Sequence, residues 1–311
     1  MTSSEPPQER DHYHHIPVML EEVLTYLAPS RGESMVDLTV GLAGHAVEIL
    51  KRLGPDGLLL GVDRDEEALE LARERLVQVG HPFRLFHGTY TRIQELLELG
   101  GRPPEGTLDG VLLDLGVSSL QLERAHRGFS FQRDGPLDMR MDPSEGESAA
   151  EFLRRVSVRE LEDVLRCYGE ERAAAKIASA IDRFRRSESL ESTAQLAKIV
   201  ESVIPRGRKR LHPATRTFQA LRIVVNREIE LLHHVLRDLD RFLRPGGRVV
   251  VLSYHSLEDR SVKELLGGRV KEGLYRWTPK GALRPSTGEV ETNPRARSAR
   301  MRVAVRAGNG G

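Results

Sequence analysis

A glycine turn between two apolar runs, each carrying an acid, constrains the fold of this chain more than any other feature. The first run contains Asp37 and leads into Gly41 and Gly44, and the second, over 58–63, ends on Asp63. A helical stretch separates the two runs. The order of strand, glycine-rich turn, helix, strand and acid predicts one half of a nucleotide-binding βαβ unit.

The glycine pattern indicates an adenosine-containing ligand without identifying it. Gly41-x-x-Gly44-x-Ala46 matches the G-x-G-x-x-G dinucleotide fingerprint only in part. Asp63 stands where an acid accepts hydrogen bonds from ribose hydroxyls. A nicotinamide-dependent oxidoreductase therefore stays open at this point.

Strand and helix patterns continue to alternate as far as Leu115, which predicts an α/β fold with a doubly wound, mainly parallel sheet. The predicted strands lie near 34–40, 57–63, 83–87 and 107–115, with helices near 44–53, 65–79 and 91–99. Alternation then stops: 120–147 has a loop-like composition and 149–204 a helical pattern.

Alternation resumes with one long helix predicted near 215–242, followed by a turn and buried strand over 245–254 and an alternating strand over 300–306. We therefore predict a cofactor-binding domain made of residues 1–119 and 216–311. A helical insertion over 120–215 interrupts it.

Composition is that of a globular protein, with 39% hydrophobic and 30% charged residues among 311. No apolar run reaches membrane-spanning length, so we expect no membrane contact. The single cysteine, Cys167, cannot form an internal disulfide, which fits a cytoplasmic protein.

Three acids are predicted to meet in one crevice. Asp37, Asp63 and Asp114 lie at or near the carboxyl ends of predicted strands, and ligands of open α/β sheets bind at those ends. The sequence therefore predicts a ligand site beside them.

Arginines suggest an RNA partner although the net charge is only +1. Arg216 and Arg222 share the polar face of the predicted long helix, and Arg295 and Arg297 precede the last strand. Both arrangements suit contacts to phosphates. We expect these arginines to bind RNA.

Histidines offer weaker signals. His255 follows a buried strand and could act as a general base or contact a base, or serve only structure. His12, His14 and His15 lack cysteine or acid partners at ligand spacing. We expect no metal site.

Seven segments, in order along nearly the whole chain, resemble the bacterial 16S ribosomal RNA cytosine N(4)-methyltransferases. They are His15–Val18, Asp37–His45, Leu113–Ser119, Pro136–Met141, His212–Asn226, Leu252–Arg260 and Asn293–Ser298. The resemblance implies S-adenosylmethionine as cofactor, 16S rRNA or the small ribosomal subunit as partner, and a contact from Arg140 to the RNA. It permits a homodimer.

The same resemblance implies a set of cofactor-binding residues. They are Ala43, Gly44, His45, Asp63, Tyr90, Asp114 and Gln121. Ala43 stands where the family usually has glycine, and Tyr90 where phenylalanine is common. A Cβ at Ala43 must be tolerated by the turn, whereas Tyr90 keeps a flat face for adenine.

The chemistry implied is methylation of an amine whose lone pair is delocalised into the cytosine ring. Such a reaction needs acceptors for the amine hydrogens and a route for a proton. Asp114 and His255 are the candidate catalytic residues. Asp114-Leu-Gly-Val lacks the aromatic residue that amino-methylating DNA enzymes stack on the base. The alternatives are a nicotinamide-dependent oxidoreductase and a non-catalytic RNA-binding protein.

Overall fold

A computed structural model describes residues 16–103, 105–204 and 212–308 of the chain. The tail histidines lie outside the described residues. So does the basic segment Arg206-Gly-Arg-Lys-Arg210, which precedes the predicted long helix in the sequence. No described helix combines the length and apolar character that crossing a membrane requires.

In the described part of the chain, seven strands form one sheet. The strands are β1 (Ser34–Asp37), β2 (Leu58–Asp63), β3 (Phe83–His87), β4 (Leu108–Asp114), β5 (Leu243–Ser253), β6 (Tyr275–Trp277) and β7 (Arg300–Arg306). Their order is β3-β2-β1-β4-β5-β7-β6. The pairs from β3 to β5 are parallel, and β7 is antiparallel to both of its neighbours, β5 and β6. The predicted doubly wound, mainly parallel sheet is confirmed.

Helices connect these strands and build a separate helical part. The α-helices are α1 (Leu20–Leu27), α2 (Gly44–Leu53), α3 (Glu66–Val79), α4 (Ile93–Leu99), α5 (Ser119–Glu123), α6 (Ala149–Arg155), α7 (Val158–Gly169), α8 (Ala174–Arg185), α9 (Thr193–Val203), α10 (Thr215–Val225), α11 (Glu228–Phe242), α12 (Ser256–Lys271) and α13 (Thr287–Thr292). Helix α5 corrects the prediction that 120–147 is loop throughout. The strand β6 was not predicted.

The sheet is buried on both faces because successive residues of its strands are apolar and their side chains point to opposite faces. Val36 and Leu113 point to the core formed with α4, α11 and α12, whereas Met35 and Leu112 point to the core formed with α1, α2 and α3. Strands buried in this way hold their carboxyl ends in fixed positions, which matters for the site described below.

The helical part has an apolar core of its own, which extends from Leu137 to Leu221 and includes α6 to α10. Serine caps begin three of its helices: the side chains of Ser148, Ser157 and Ser192 accept hydrogen bonds from the amides of Glu151, Glu160 and Gln195. The core continues into α10, beyond residue 215. The division of the chain into two domains stays a prediction.

The single long helix predicted over 215–242 is wrong, because two helices meet at Asn226 and Arg227. Arg227 has φ 52°, a left-handed conformation that cannot continue a helix. The Asn226 side chain accepts a hydrogen bond from the Met141 amide at 2.7 Å and donates one to the Met139 carbonyl at 2.7 Å. The break therefore fastens the loop after Gly128 to the end of α10.

Candidate functional site

A cavity of ≈ 290 Å³ lies at the carboxyl ends of β1, β2 and β4. Its walls come from the turn after β1, the ends of β2 and β4, the start of α11 and the residues after β5. The polar side chains that line it include Thr39, His45, Asp63, Arg64, Tyr90, Asp114, Ser118, Ser119, Gln121, Arg222, Glu228, Tyr254, Glu258 and Arg295. Its position is that expected for a ligand of an open α/β sheet.

Asp63 fixes the glycine turn against the end of β2. One carboxylate oxygen accepts a hydrogen bond from the Gly41 amide at 2.7 Å, and the other accepts one from the Asp65 amide at 3.0 Å. Burial raises the pKa of Asp63, and these two amide donors oppose that change. Because a carboxylate oxygen can accept more than one hydrogen bond, Asp63 retains acceptor capacity towards the cavity.

Ala43 adopts the conformation that a glycine would favour, with φ 60° and ψ 27° at the start of α2. Its side chain is fully buried and packs with the core on the α2 side of the sheet. Among the cofactor-binding residues predicted, Gly44 and His45 line the cavity but Ala43 does not. The Cβ is therefore tolerated by pointing into the core, at a backbone cost of about 1 kcal/mol.

Asp114 stands at the end of β4 with both carboxylate oxygens in contact with other side chains. The Tyr254 hydroxyl donates to one oxygen at 2.6 Å, and His45 Nδ1 lies 3.5 Å from the other. The Thr39 hydroxyl accepts a hydrogen bond from the Asp114 amide at 2.6 Å. Burial raises the pKa of Asp114, while His45 and the Tyr254 hydroxyl oppose the change.

Asp37 was predicted to join Asp63 and Asp114 in the crevice, and it does not line the cavity. Its side chain is buried beneath the turn after β1, where one carboxylate oxygen accepts a hydrogen bond from the Thr39 amide at 3.0 Å. Burial raises the pKa of Asp37 to about 7, with contributions from Asp114 and Asp63 in the same direction. Two of the three predicted aspartates, Asp63 and Asp114, therefore face the cavity.

Tyr90 and Gln121 both line the cavity, in different ways. The Tyr90 ring is half-buried and its hydroxyl donates to the Glu228 carbonyl at 3.3 Å. The Gln121 side chain is bound at both ends, since its oxygen accepts from the Ser118 amide at 3.1 Å and its nitrogen donates to Asp65 at 2.9 Å. Gln121 is therefore a buried residue of the cavity wall, held in place by its hydrogen bonds with Ser118 and Asp65.

Arg222 was predicted to contact RNA from the polar face of a helix, and the structure places it in the cavity wall. Nε and Nη2 of its guanidinium each donate to the Glu228 carboxylate at 2.8 Å, and Nη2 lies 3.7 Å from Glu258. Helical spacing shows which side chains share a face and cannot show whether that face meets solvent. Glu228 and Glu258 were not predicted as part of the site.

His255 caps α12 and is not among the described residues that line the cavity. Its Nδ1 accepts a hydrogen bond from the Glu258 amide at 3.4 Å, and its Nε2 lies 3.0 Å from the Glu258 carboxylate. Burial opposes ionisation of Glu258, yet His255 and Arg222 hold the pKa of Glu258 below its usual range. Both ring nitrogens of His255 therefore face the same residue.

Glu228, His255 and Glu258 are also close enough to form a candidate metal cluster in the described part of the chain. The Arg222 guanidinium already lies among them, with Nη2 2.8 Å from Glu228 and 3.4 Å from His255 Nε2. Arg222 thus supplies the positive charge that the two carboxylates need. The absence of a metal stays a prediction.

The other arginines predicted to bind RNA do not converge. Arg295 lines the cavity and contacts the Ser119 hydroxyl and Glu123. Arg140 donates two hydrogen bonds to its neighbour Asp138, each 2.8 Å long.

Two further arginines lie on the surface. Arg216 is exposed and donates to the Glu170 carbonyl at 2.9 Å, and Arg297 is exposed. Arg295 differs from Arg140, Arg216 and Arg297 because it both lines the cavity and contacts solvent.

The sheet order, the glycine turn held by Asp63 and the cavity at the strand ends define the fold of class I S-adenosylmethionine-dependent methyltransferases. The chain belongs to the MraW methylase family, whose model matches residues 12–307. The resemblance found in the sequence is thereby confirmed, and so is the expected cofactor, S-adenosylmethionine. Membership of a methylase family decides against the nicotinamide-dependent oxidoreductase and the non-catalytic RNA-binding protein.

Relatives are similar over their full length. A protein from Syntrophotalea carbinolica named ribosomal RNA small subunit methyltransferase H is 48% identical, over 96% of this chain and 99% of its own. A protein of the same name from Acidobacterium capsulatum is 45% identical, over 93% and 97% of the two chains. Among solved structures, Aeropyrum pernix fibrillarin with natively bound S-adenosyl-L-methionine is 13% identical over 92% of this chain and 72% of that chain, with a TM-score of 0.40.

Proposed function

We propose that this protein transfers a methyl group from S-adenosylmethionine to the exocyclic amine of a cytidine in the decoding region of 16S rRNA. The observation that carries the proposal is that Asp63, at the end of β2, and Asp114, at the end of β4, line the same cavity. The names of the full-length relatives support ribosomal RNA of the small subunit as substrate.

The residues of the cavity fit an adenosine-containing methyl donor. We assign the ribose hydroxyls to Asp63, whose carboxylate is fixed by two amides and keeps free acceptor capacity. The flat face of Tyr90 suits adenine, and the turn over Gly44 and His45 suits the amino-acid end. When bound, S-adenosylmethionine supplies a methyl group activated by a sulfonium.

Asp114 is the residue that we assign to the chemistry. The cytosine amine is a weak nucleophile, and an acceptor for its hydrogens favours the charge that develops on nitrogen as it attacks. Asp114 lines the cavity and has a raised pKa because of burial, which makes its carboxylate a better proton acceptor than an ordinary aspartate. Transfer of the methyl group would break its bond to the sulfonium sulfur, leaving a thioether, and form the N–C bond. The Asp114 carboxylate would accept the proton that nitrogen releases.

His255 fits a catalytic role poorly, since both of its ring nitrogens face Glu258. We infer that His255 acts through Glu258 and Arg222, by holding the wall of the cavity. An unchanged pH profile of turnover in His255→Asn would support this assignment, and loss of the profile's acidic limb, which a general base would produce, would contradict it.

RNA recognition is assigned to the helical insertion over 120–215 and to the arginines near the cavity. Arg295 is the best placed of them, because it lines the cavity and is half-exposed. Arg140, Arg216 and Arg297 would contribute backbone contacts that depend on salt. A cytoplasmic location and a homodimer complete the proposal.

The test is methyl transfer from labelled S-adenosylmethionine to small-subunit RNA, supplied naked and as assembled subunits. Nucleoside mass analysis should find N(4)-methylcytidine in the product, and rRNA from a strain lacking the gene should lose that nucleoside. Label on adenosine or guanosine would contradict the proposed base, and label confined to protein would contradict RNA as the substrate.

A further inference from the structure

Two tyrosines line the cavity from different strand ends of the sheet. Tyr90 follows β3 and Tyr254 follows β5, and these are the phenylalanine, tyrosine or tryptophan side chains among the described residues that line the cavity. In the order β3-β2-β1-β4-β5, three strands lie between them. Tyr90 is on the side of Asp63, and Tyr254 is on the side of Asp114.

Tyr254 is held at both its main chain and its side chain. Its amide donates to the Glu258 carboxylate at 2.7 Å, and its hydroxyl donates to Asp114 at 2.6 Å. Part of its ring packs on the core with α2 and β1, and the side chain is half-buried. Burial raises the pKa of Tyr254 well above its ordinary value, so the hydroxyl stays a donor at neutral pH.

Gly116 leaves the Tyr254 ring accessible from the cavity. A Cβ built at Gly116 would lie 3.4 Å from Cδ2 of the ring, so a larger side chain there would cover the ring. Gly116 also has φ 98°, a conformation that other residues rarely adopt. The loop after β4 therefore passes beside the ring without filling the space in front of it.

A base drawn into the cavity loses its stacking in the RNA, and an aromatic face restores about 1–3 kcal/mol per base. The segment from Asp114 to Val117 carries no aromatic residue that could do so. We propose that Tyr254, from the neighbouring strand end, stacks on the target base while its hydroxyl holds Asp114 in position. The inference rests on the proposed function, since it assumes that a base enters this cavity.

Two substitutions separate the role of the Tyr254 ring from the role of its hydroxyl. Tyr254→Phe keeps the ring and removes the hydroxyl, so RNA binding should persist while kcat falls at least tenfold. Tyr254→Leu removes the ring as well, so KM for RNA should also rise by roughly 5- to 150-fold, which corresponds to the stacking energy. Cofactor affinity should stay unchanged in both, and Tyr26→Phe, a half-buried tyrosine on α1 outside the cavity lining, serves as the matched control.

Stacking can be measured directly by the fluorescence of an RNA fragment that carries pyrrolocytosine at the target position. Binding to the wild type and to Tyr254→Phe should change the emission of the fluorescent base, and binding to Tyr254→Leu should not. An emission change that persists in Tyr254→Leu, or equal KM values for all three proteins, overturns the proposal. Because this signal needs no methyl transfer, a wild type that stacks the base without methylating RNA contradicts the proposed function alone.

A second measurement needs no substitution, and so does not depend on whether Tyr254→Leu folds. RNA with 5-iodocytidine at the target position is irradiated in complex with the wild type, and the adduct is mapped by mass spectrometry. We expect the adduct on Tyr254. An adduct on Tyr90, or on no cavity residue, overturns the proposal.

Discussion

Asp37 should make the protein less stable as the pH rises, and Asp37→Asn should remove that dependence. The carboxyl group is buried and has a pKa of about 7 against an ordinary value of 3.8. Between these values the folded protein holds a proton at Asp37 that the unfolded chain has released. Folding is therefore favoured at low pH, and the advantage is lost as the pH rises through 7.

The magnitude follows from the difference between the two pKa values. A difference from 3.8 to about 7 corresponds to about 4 kcal/mol in total. Between pH 5 and pH 8 the loss amounts to about 2.5 kcal/mol. Asparagine copies the protonated form, because its side-chain oxygen can still accept the hydrogen bond from the Thr39 amide.

Urea unfolding of both proteins at several pH values measures this difference. Groups that do not interact with Asp37 titrate in both proteins and cancel in the comparison. Asp37→Asn should gain about 2.5 kcal/mol relative to the wild type between pH 5 and pH 8. A stability difference that stays constant over this range would refute the reasoning, because it would mean that Asp37 is ionised in the folded protein throughout.

Three further changes test the site. Asp63→Ala should weaken S-adenosylmethionine binding by roughly 1.5–3 kcal/mol in calorimetry, and unchanged affinity in a folded variant would remove Asp63 from the cofactor site. Asp114→Asn should raise the barrier to turnover by about 2–4 kcal/mol with little effect on cofactor affinity, whereas turnover restored by saturating cofactor would make Asp114 a binding residue. Arg222→Ala leaves the Glu228 carboxylate without its cation and should destabilise the fold by about 3–5 kcal/mol in urea unfolding. Arg216 is exposed, so the control Arg216→Ala should change stability by less than about 0.5 kcal/mol. Similar losses in the two variants would mean that the ion pair of Arg222 with Glu228 is solvated.

The strands and the two aspartates of the cavity, Asp63 and Asp114, could be predicted because their signals are local. Each strand is a short apolar run, and Asp63 and Asp114 follow from the rule that parallel strands end at one edge of a sheet. The break at Arg227 could not be predicted, since the apolar spacing of α10 continues into α11 without a glycine or proline. A hydrogen-bonded loop distant in sequence stabilises it instead.

The far wall of the cavity was missed for a related reason. The packing of α10, α11 and β5 is what brings three residues to the cavity: Glu228, Tyr254 and Glu258. The spacing of residues in the sequence does not reveal that packing. Arg222 was predicted, from its place on a polar helix face, to contact RNA phosphates. Periodicity identifies the face of a helix, but only tertiary structure decides whether the face meets water or a cavity.

The pairing of β4 with β5 bears on how the chain folds while it is being made. Residues 115–242 lie between these neighbouring strands, and β7 adds to β5 only near the end of the chain. The helical part, with an apolar core of its own, can pack as soon as α10 has been synthesised. The edge of β4 then stays open until β5 emerges, so the cavity wall that carries Tyr254 is among the last parts of the molecule to form during synthesis.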